Sequence, residues 1–168
     1  MSNIVALDAL GGEGGIDVTV SAALAALSSH PDLSLILVGP EEILQKKLAK
    51  ESSHSRLQIH HAAEYVDMDE LPSNALRFKK DSSMRVAINL VQDGRADACV
   101  SAGNTGALMA TARFVLKTLP GIDRPGICGV LPRAGGQVHM MDLGASLACT
   151  ADLLFQFGLM AAIMVKFL

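Results

Sequence analysis

Short apolar runs alternate with longer segments of helical periodicity along most of this chain. The apolar runs are brief and bounded by turn residues, which predicts buried strands at 4–7, 33–38, 57–60 and 98–101. Helical patterns follow them at 17–28, 41–50, 83–92, 105–118 and 151–165. This alternation predicts an α/β fold with three α/β/α layers around a mostly parallel sheet.

Three segments depart from the simple alternation. Residues 127–131 and 138–141 predict two further strands, close enough to form a hairpin, and 68–81 reads as a polar irregular stretch. The last helix is apolar on nearly every side. It is shorter than the roughly 20 residues of a membrane span, and it contains Gln156 with Lys166 just beyond, so a buried helix is favoured over a tail anchor.

Composition narrows the class of protein. The 168 residues suit one domain, and a net charge of −3 without a long basic run argues against nucleic-acid binding. The cysteines, at 99, 128 and 149, form no CxxC pair and predict reduced, mostly buried thiols. The first residues lack the pattern of a signal peptide, so a cytoplasmic location is expected.

The most informative stretch is the turn between the 98–101 strand and the helix after it. Ser101, Gly103, Asn104, Thr105 and Gly106 are small or polar, so the backbone can approach a ligand and present N–H groups at a helix start. Such turns hold phosphate groups or developing oxyanions. Turns and helix caps also favour these residue types without any ligand, and that alternative stays open.

Other chemistries find little support. Gly11 to Gly15 lacks the spacing of a dinucleotide-binding loop, and a Walker lysine is absent, so neither a nicotinamide site nor P-loop chemistry is expected. Adjacent His60 and His61 point to opposite faces of a strand and predict no metal site. No His is placed to activate a Ser or Cys nucleophile.

One local basic cluster stands out, at Arg77, Lys79, Lys80 and Arg85. It is interpreted either as a solvated loop and helix start or as a surface for an acidic partner or a phosphate group.

Four motifs together resemble the bacterial phosphate acyltransferases of the PlsX type. They are SAGNTGALM at 101–109, GIDRP at 121–125, DSSMRVA at 81–87 and MDLGA at 141–145, and the opening LDALGGE at 7–13 is similar to that family's first loop. The resemblance implies transfer of a fatty acyl group from acyl carrier protein to inorganic phosphate, giving acyl phosphate for phospholipid synthesis. It also implies a homodimer with a fold like isopropylmalate dehydrogenase, working beside the membrane without a metal or organic cofactor.

The resemblance and the strand ends together give the candidate site. Glycine-bearing loops after Leu7, Val100 and Met141 are expected at the carboxyl ends of sheet strands, where ligands bind. The catalytic candidates are Asn104, Thr105 and Asp142. The candidates for binding substrate or phosphate are Asp8, Gly11, Gly12, Ser101, Gly103, Gly106, Gly144 and Ser146. Arg77, Lys79, Lys80 and Arg85 are expected to contact carrier protein or phosphate.

The chain also departs from the family. Family members are about twice as long, so residues 1–160 are interpreted as the N-terminal portion of the enzyme and 161–168 as a divergent tail. Ser146 and Ala148 replace an Asn and an Asp of the family motif. Two alternatives therefore stay open: an inactive truncated remnant or binding module, and a phosphotransacetylase-like enzyme acting on acyl-CoA.

Overall fold

Strands and helices alternate along the part of the chain that the computed structural model describes, residues 3–49, 54–146 and 148–167. The strands are β1 (Asn3–Asp8), β2 (Leu33–Gly39), β3 (Leu57–His61), β4 (Ala98–Val100), β5 (Cys128–Arg133) and β6 (Gly136–Met141). The helices are α1 (Gly15–Ser29), α2 (Glu41–Leu48), α3 (Pro72–Phe78), α4 (Ser83–Gln92), α5 (Thr105–Leu116) and α6 (Ala151–Met164). The chain divides into two compact units, Met1–Lys117 and Thr118–Leu168.

The first unit is built on a four-stranded parallel sheet in the order β3-β2-β1-β4. Val5 of β1 pairs with Leu35 of β2 on one side and with Ala98 of β4 on the other. The carboxyl ends of β1 and β4 therefore lie side by side, and so do the loops that follow them. The predicted parallel sheet is confirmed.

Helices cover both faces of this sheet because successive side chains of a strand point to opposite sides. Leu37 of β2 packs with Leu27 of α1 and Leu44 of α2 on one face. Its neighbour Ile36 packs with Leu90 of α4 on the other face. α5 packs against both α4 and α3 on that second side. The result is the predicted three-layer α/β/α arrangement.

Helix α3 corrects the interpretation of residues 68–81 as irregular. Pro72 occupies its first turn, where a residue without an N–H costs no hydrogen bond and its fixed φ suits a helix. The helix is seven residues long and buries Ala75 alone among them, so it has no apolar stripe that periodicity could reveal. Arg77 consequently lies on a helix and not in a loop.

In the second unit, β5 and β6 form the predicted hairpin, pairing antiparallel from Cys128 opposite Met141 to Arg133 opposite Gly136. They form a two-stranded sheet of their own. The expectation that the loop after Met141 follows a strand of the parallel sheet is therefore wrong. A connection as short as the one between these strands can only reverse the chain, which enforces antiparallel pairing.

Helix α6 exposes much of its apolar surface, contrary to the expectation of a buried helix. Leu153 and Phe157 are buried, whereas Phe155 is 71% exposed and Phe167, just after the helix, is 85% exposed. Gly126 makes room for the Phe157 ring, because a Cβ there would lie 3.0 Å from it. Among the described residues, no helix is long and apolar enough to cross a membrane.

Candidate functional site

A buried carboxylate organises the carboxyl edge of the parallel sheet. Asp8 ends β1 and is 2% exposed. Its Oδ1 accepts from the backbone N–H groups of Leu10 (3.2 Å) and Gly11 (3.1 Å) and from the hydroxyl of Ser83 (2.5 Å). Its Oδ2 accepts from the hydroxyl of Ser101 at 2.6 Å. One side chain thus ties together the end of β1, the start of α4 and the end of β4, an arrangement we call the Asp8 cluster (Asp8, Ser83, Ser101).

The two glycine loops beside this cluster touch each other. A Cβ at Gly11 would lie 2.6 Å from Asp8 Oδ2 and 3.0 Å from the Gly103 nitrogen, and one at Gly103 would lie 3.5 Å from the Gly11 Cα. Ser101 Oγ also accepts from the Gly103 N–H at 3.1 Å. Gly12 has a φ of 87° and lies against Ala102. Five of the candidates, Asp8, Gly11, Gly12, Ser101 and Gly103, therefore lie together.

The start of α5 adjoins this cluster and offers hydrogen-bond donors. Asn104 is the N-cap, and its Oδ1 accepts from the Ala107 N–H at 2.9 Å. Within the described part of the chain, the N–H groups of Thr105 and Gly106 have no acceptor, and both residues are exposed. Such groups at a helix start attract anions through their hydrogen bonds and the helix dipole. Gly106 also lets α5 approach α3, because a Cβ there would lie 2.9 Å from the Pro72 ring.

The amide of Asn104 is committed to the protein itself. Its Nδ2 donates to the carbonyl oxygens of Asp67 (3.2 Å), Met68 (2.9 Å) and Glu70 (2.9 Å), and the side chain is 8% exposed. Both polar ends of Asn104 are therefore occupied, one by α5 and the other by the loop that leads into α3. In this arrangement the side chain places the start of α5, and its amide hydrogens already face carbonyl oxygens of the protein.

The basic cluster is divided by the fold. Lys79 donates to the Tyr65 carbonyl at 2.9 Å, and its Nζ lies 3.6 Å from Glu70. Arg85 stacks on the ring of Phe114 at 5.2 Å. Arg77 and Lys80 are exposed, and neither makes an ion pair within the described residues. These two side chains are the ones in the cluster that are left to meet a partner.

The remaining candidates lie in the second unit, where Asp142 organises its own loop. Its Oδ1 accepts from the Ile127 N–H at 2.9 Å, and its Oδ2 accepts from the Ser146 N–H at 2.8 Å. Gly144 completes the turn with a φ of 81°. The carboxylate therefore fixes the loop between β6 and α6 against the start of β5.

Sequence reasoning missed Ser83. It belongs to the DSSMRVA motif, but two adjacent serines at a predicted helix start both look like capping residues. The structure separates them, because Ser82 caps α4 by accepting from the Arg85 N–H, whereas Ser83 reaches Asp8. Its contact crosses 75 residues of sequence, which no local pattern reveals.

Neither thiol chemistry nor a bound metal finds support in the described residues. Burial, and then the negative charge of Asp8, raise the pKa of the Cys99 thiol, which keeps it protonated and a poor nucleophile. Cys149 is exposed, contrary to the expectation of mostly buried thiols. No group of three His, Cys, Asp or Glu side chains among the described residues could hold a metal ion.

Comparison with known proteins identifies the family. The family model described as "Fatty acid synthesis protein" matches residues 4–166. The chain belongs to this family. It is 58% identical over 161 residues to a phosphate acyltransferase of Halorhodospira halophila, covering 95% of this chain and 47% of the relative. It is 54% identical over 169 aligned residues to the phosphate acyltransferase of Legionella pneumophila (strain Paris), covering 99% and 49%.

These relatives confirm the resemblance to bacterial phosphate acyltransferases, and the chain spans about half the length of the curated relatives it matches. A solved structure described as the EutD phosphotransacetylase from Staphylococcus aureus shares the fold of this family member. The TM-score is 0.64 at 19% identity, covering 92% of this chain and 50% of that one. The likeness supports the α/β fold.

Proposed function

We propose that this chain contributes to the transfer of a fatty acyl group from acyl carrier protein to inorganic phosphate. In that reaction a phosphate oxygen attacks the thioester carbonyl, the new C–O bond forms, and the C–S bond breaks to release the carrier's thiol. The proposal is supported by identities of 54% and 58% to phosphate acyltransferases. It is supported also by the candidate site, whose backbone donors suit phosphate and the thioester oxygen that becomes negative during the reaction.

The observation that carries the proposal is the pair of N–H groups at Thr105 and Gly106, beside the Asp8 cluster, that have no acceptor among the described residues. Phosphate enters as a dianion, and negative charge develops on the thioester oxygen as the bond forms. Backbone donors fixed in place stabilise such charge without reorganising during the reaction. Phosphate itself is the nucleophile, so the reaction requires no covalent bond to a Ser or Cys of the protein.

We assign different parts of this task to the candidates. Thr105 and Gly106 present donors to the anion, with Gly11, Gly12 and Gly103 allowing its close approach. Asn104 acts by placing the start of α5, because both ends of its amide are bonded within the protein. Asp142, Gly144 and Ser146 form a second loop that we propose also contacts the substrates.

The carrier protein is proposed to dock near the end of α3. Arg77 and Lys80 are exposed there and flank Phe78, whose side chain is 71% exposed. Cations around an exposed aromatic ring suit an acidic partner that also offers an apolar contact. Lys79 and Arg85 contribute to this surface mainly by shaping it, since both already contact other side chains.

Assembly and location are proposed on the resemblance alone. A homodimer in the cytoplasm, with peripheral attachment to the membrane, would bring the acyl phosphate close to where phospholipid synthesis consumes it. The exposed apolar residues of α6, among them Phe155 and Leu159, offer surface for one of these contacts. The division into a 1–160 enzyme portion and a 161–168 tail likewise stays a prediction.

The proposal is tested by supplying purified protein with phosphate and either acyl carrier protein or coenzyme A thioesters of the same fatty acid. Acyl phosphate is measured by trapping with hydroxylamine, and the released thiol is counted in parallel. Turnover with the carrier thioester supports the proposal. A preference for the coenzyme A thioester supports the phosphotransacetylase-like alternative. Folded protein without turnover on either donor supports a non-catalytic role.

A further inference from the structure

We infer that Ser83 is a positioning residue of the phosphate site and acts through Asp8. This inference rests on the proposed function, because it assigns a role within the same site. Ser83 is 1% exposed and opens α4, and its hydroxyl donates to Asp8 Oδ1 at 2.5 Å. Being buried beneath the loops, it acts on a bound anion only through the groups that it holds.

Within the described part of the chain, the hydroxyl of Ser83 bonds to Asp8 and to no group of α4. Capping of the helix falls to Ser82, whose side chain accepts from the Arg85 N–H at 3.3 Å. The backbone of Ser83 is held separately, because its N–H donates to the Glu64 carbonyl at 2.9 Å. Removing the hydroxyl therefore leaves the start of α4 capped and anchored, and the loss falls on Asp8.

Asp8 needs that hydroxyl because its charge is buried beside a site for another anion. Four donors surround the carboxylate: two backbone N–H groups and the hydroxyls of Ser83 and Ser101. The two backbone bonds, at 3.1 and 3.2 Å, are longer than the hydroxyl bonds, at 2.5 and 2.6 Å. Charge-assisted bonds of the shorter kind are the stronger ones. Ser83 thus supplies one of the two strong bonds that balance the carboxylate.

The second strong bond links Asp8 to the turn before α5, through Ser101. Ser101 donates to Oδ2, and in turn accepts from the N–H of Gly103, which fixes the turn before α5. Without the Ser83 hydroxyl, Oδ1 loses a donor and the carboxylate is free to rotate. Such a rotation would move Oδ2 and disturb its hydrogen bond with Ser101. Ser83 therefore sets the position of the Gly103 turn through two successive hydrogen bonds.

The test compares Ser83→Ala with Ser82→Ala, its neighbour of equal burial that does not touch Asp8. Both variants lose a buried hydroxyl, so both lose stability. We expect Ser83→Ala, but not Ser82→Ala, to raise the KM for phosphate by about tenfold, the effect of losing one charge-assisted hydrogen bond. The KM for the acyl donor should stay within about twofold of its original value. Ser83→Thr, which keeps the hydroxyl, should recover the phosphate KM.

A double-mutant cycle tests whether the effect passes through Asp8. In an Asp8→Asn background, Ser83→Ala should change the phosphate KM by less than about twofold, because coupled residues are not additive. The phosphate-dependent rise in melting temperature gives a readout that needs no turnover, and Ser83→Ala should reduce it where Ser82→Ala does not.

The possible outcomes separate this inference from the proposed function. Equal phosphate KM and equal phosphate-dependent stabilisation in the two alanine variants would overturn the role of Ser83 while leaving the acyltransferase activity intact. Full additivity with Asp8→Asn would also overturn it. Protein that phosphate stabilises but that forms no acyl phosphate would contradict the proposed function, and the thermal comparison would still decide the role of Ser83.

Discussion

Adding one methyl group at Gly11 should disable the candidate site. The Cβ of Gly11→Ala would lie 2.6 Å from Asp8 Oδ2, 2.9 Å from Ser101 Oγ and 3.0 Å from the Gly103 nitrogen. Ordinary contact begins at 3.4 Å, so the carboxylate oxygen or the loop must move by several tenths of an ångström. The three clashing atoms belong to the backbone or to short, hydrogen-bonded side chains. They cannot move as easily as the end of a long, flexible side chain.

The magnitude follows from the bonds that such a shift breaks. The Ser101 hydroxyl bond to a buried carboxylate is worth about 1.5–3 kcal/mol, and the Gly103 N–H bond to Ser101 about 1 kcal/mol. We therefore expect the free energy of unfolding to fall by about 2.5–4 kcal/mol. If the transition state carries the same distortion, kcat/KM falls by roughly 60- to 700-fold, at tenfold for about every 1.4 kcal/mol.

The matched control is Gly158→Ala. Gly158 lies inside α6, a Cβ there meets nothing within 4 Å, and the change removes a residue that weakens helices by about 0.5–1 kcal/mol. Urea unfolding and acyl phosphate formation are measured for both variants. If Gly11→Ala unfolds and turns over like Gly158→Ala, the close approach of the two glycine loops is not what builds the site.

Two further substitutions test other parts of the site. Asn104→Asp keeps the cap on α5 but replaces the amide donor that faces Met68 and Glu70 by an acceptor, so it should lower the melting temperature and increase proteolysis in the preceding loop; a melting temperature equal to that of the unaltered chain would show that the amide donor contributes nothing. Arg77→Glu with Lys80→Glu should weaken binding of acyl carrier protein and flatten its salt dependence, as measured by titration at low and high salt; unchanged affinity would return these residues to a merely solvated surface.

Much of the fold follows from local signals in the sequence. Residues 83–92 are predicted as a helix with the bounds that α4 has, because a serine cap begins it and Gly94 stops it. Helix α3 escapes the same reasoning. Proline is common in loops as well as in the first turn of a helix, and the few buried positions of α3 leave no period to detect.

The sequence predicts only those parts of the candidate site that lie at the ends of strands. Asp8 and the loops around Gly11 and Gly103 follow neighbouring parallel strands, so their meeting can be expected from topology. Ser83 lies at the start of a helix, and its contact with Asp8 depends on tertiary packing, which local sequence patterns do not show. The sequence also shows that Asn104 and Lys79 are polar, but it does not show that backbone carbonyls already occupy their donors.

The distribution of hydrogen bonds indicates which groups of the candidate site are available to an anion. Asp8, Ser101 and Asn104 direct their polar atoms at one another, at the Ser83 hydroxyl or at the backbone. Within the described residues, the main-chain N–H groups of Thr105 and Gly106 are exposed donors without an acceptor. A backbone donor cannot be deleted by an ordinary substitution, so changes to the surrounding side chains act by displacing it. Substitutions that add volume at Gly11 or Gly103 should consequently impair phosphate binding more than truncation of the exposed Thr105 side chain to alanine.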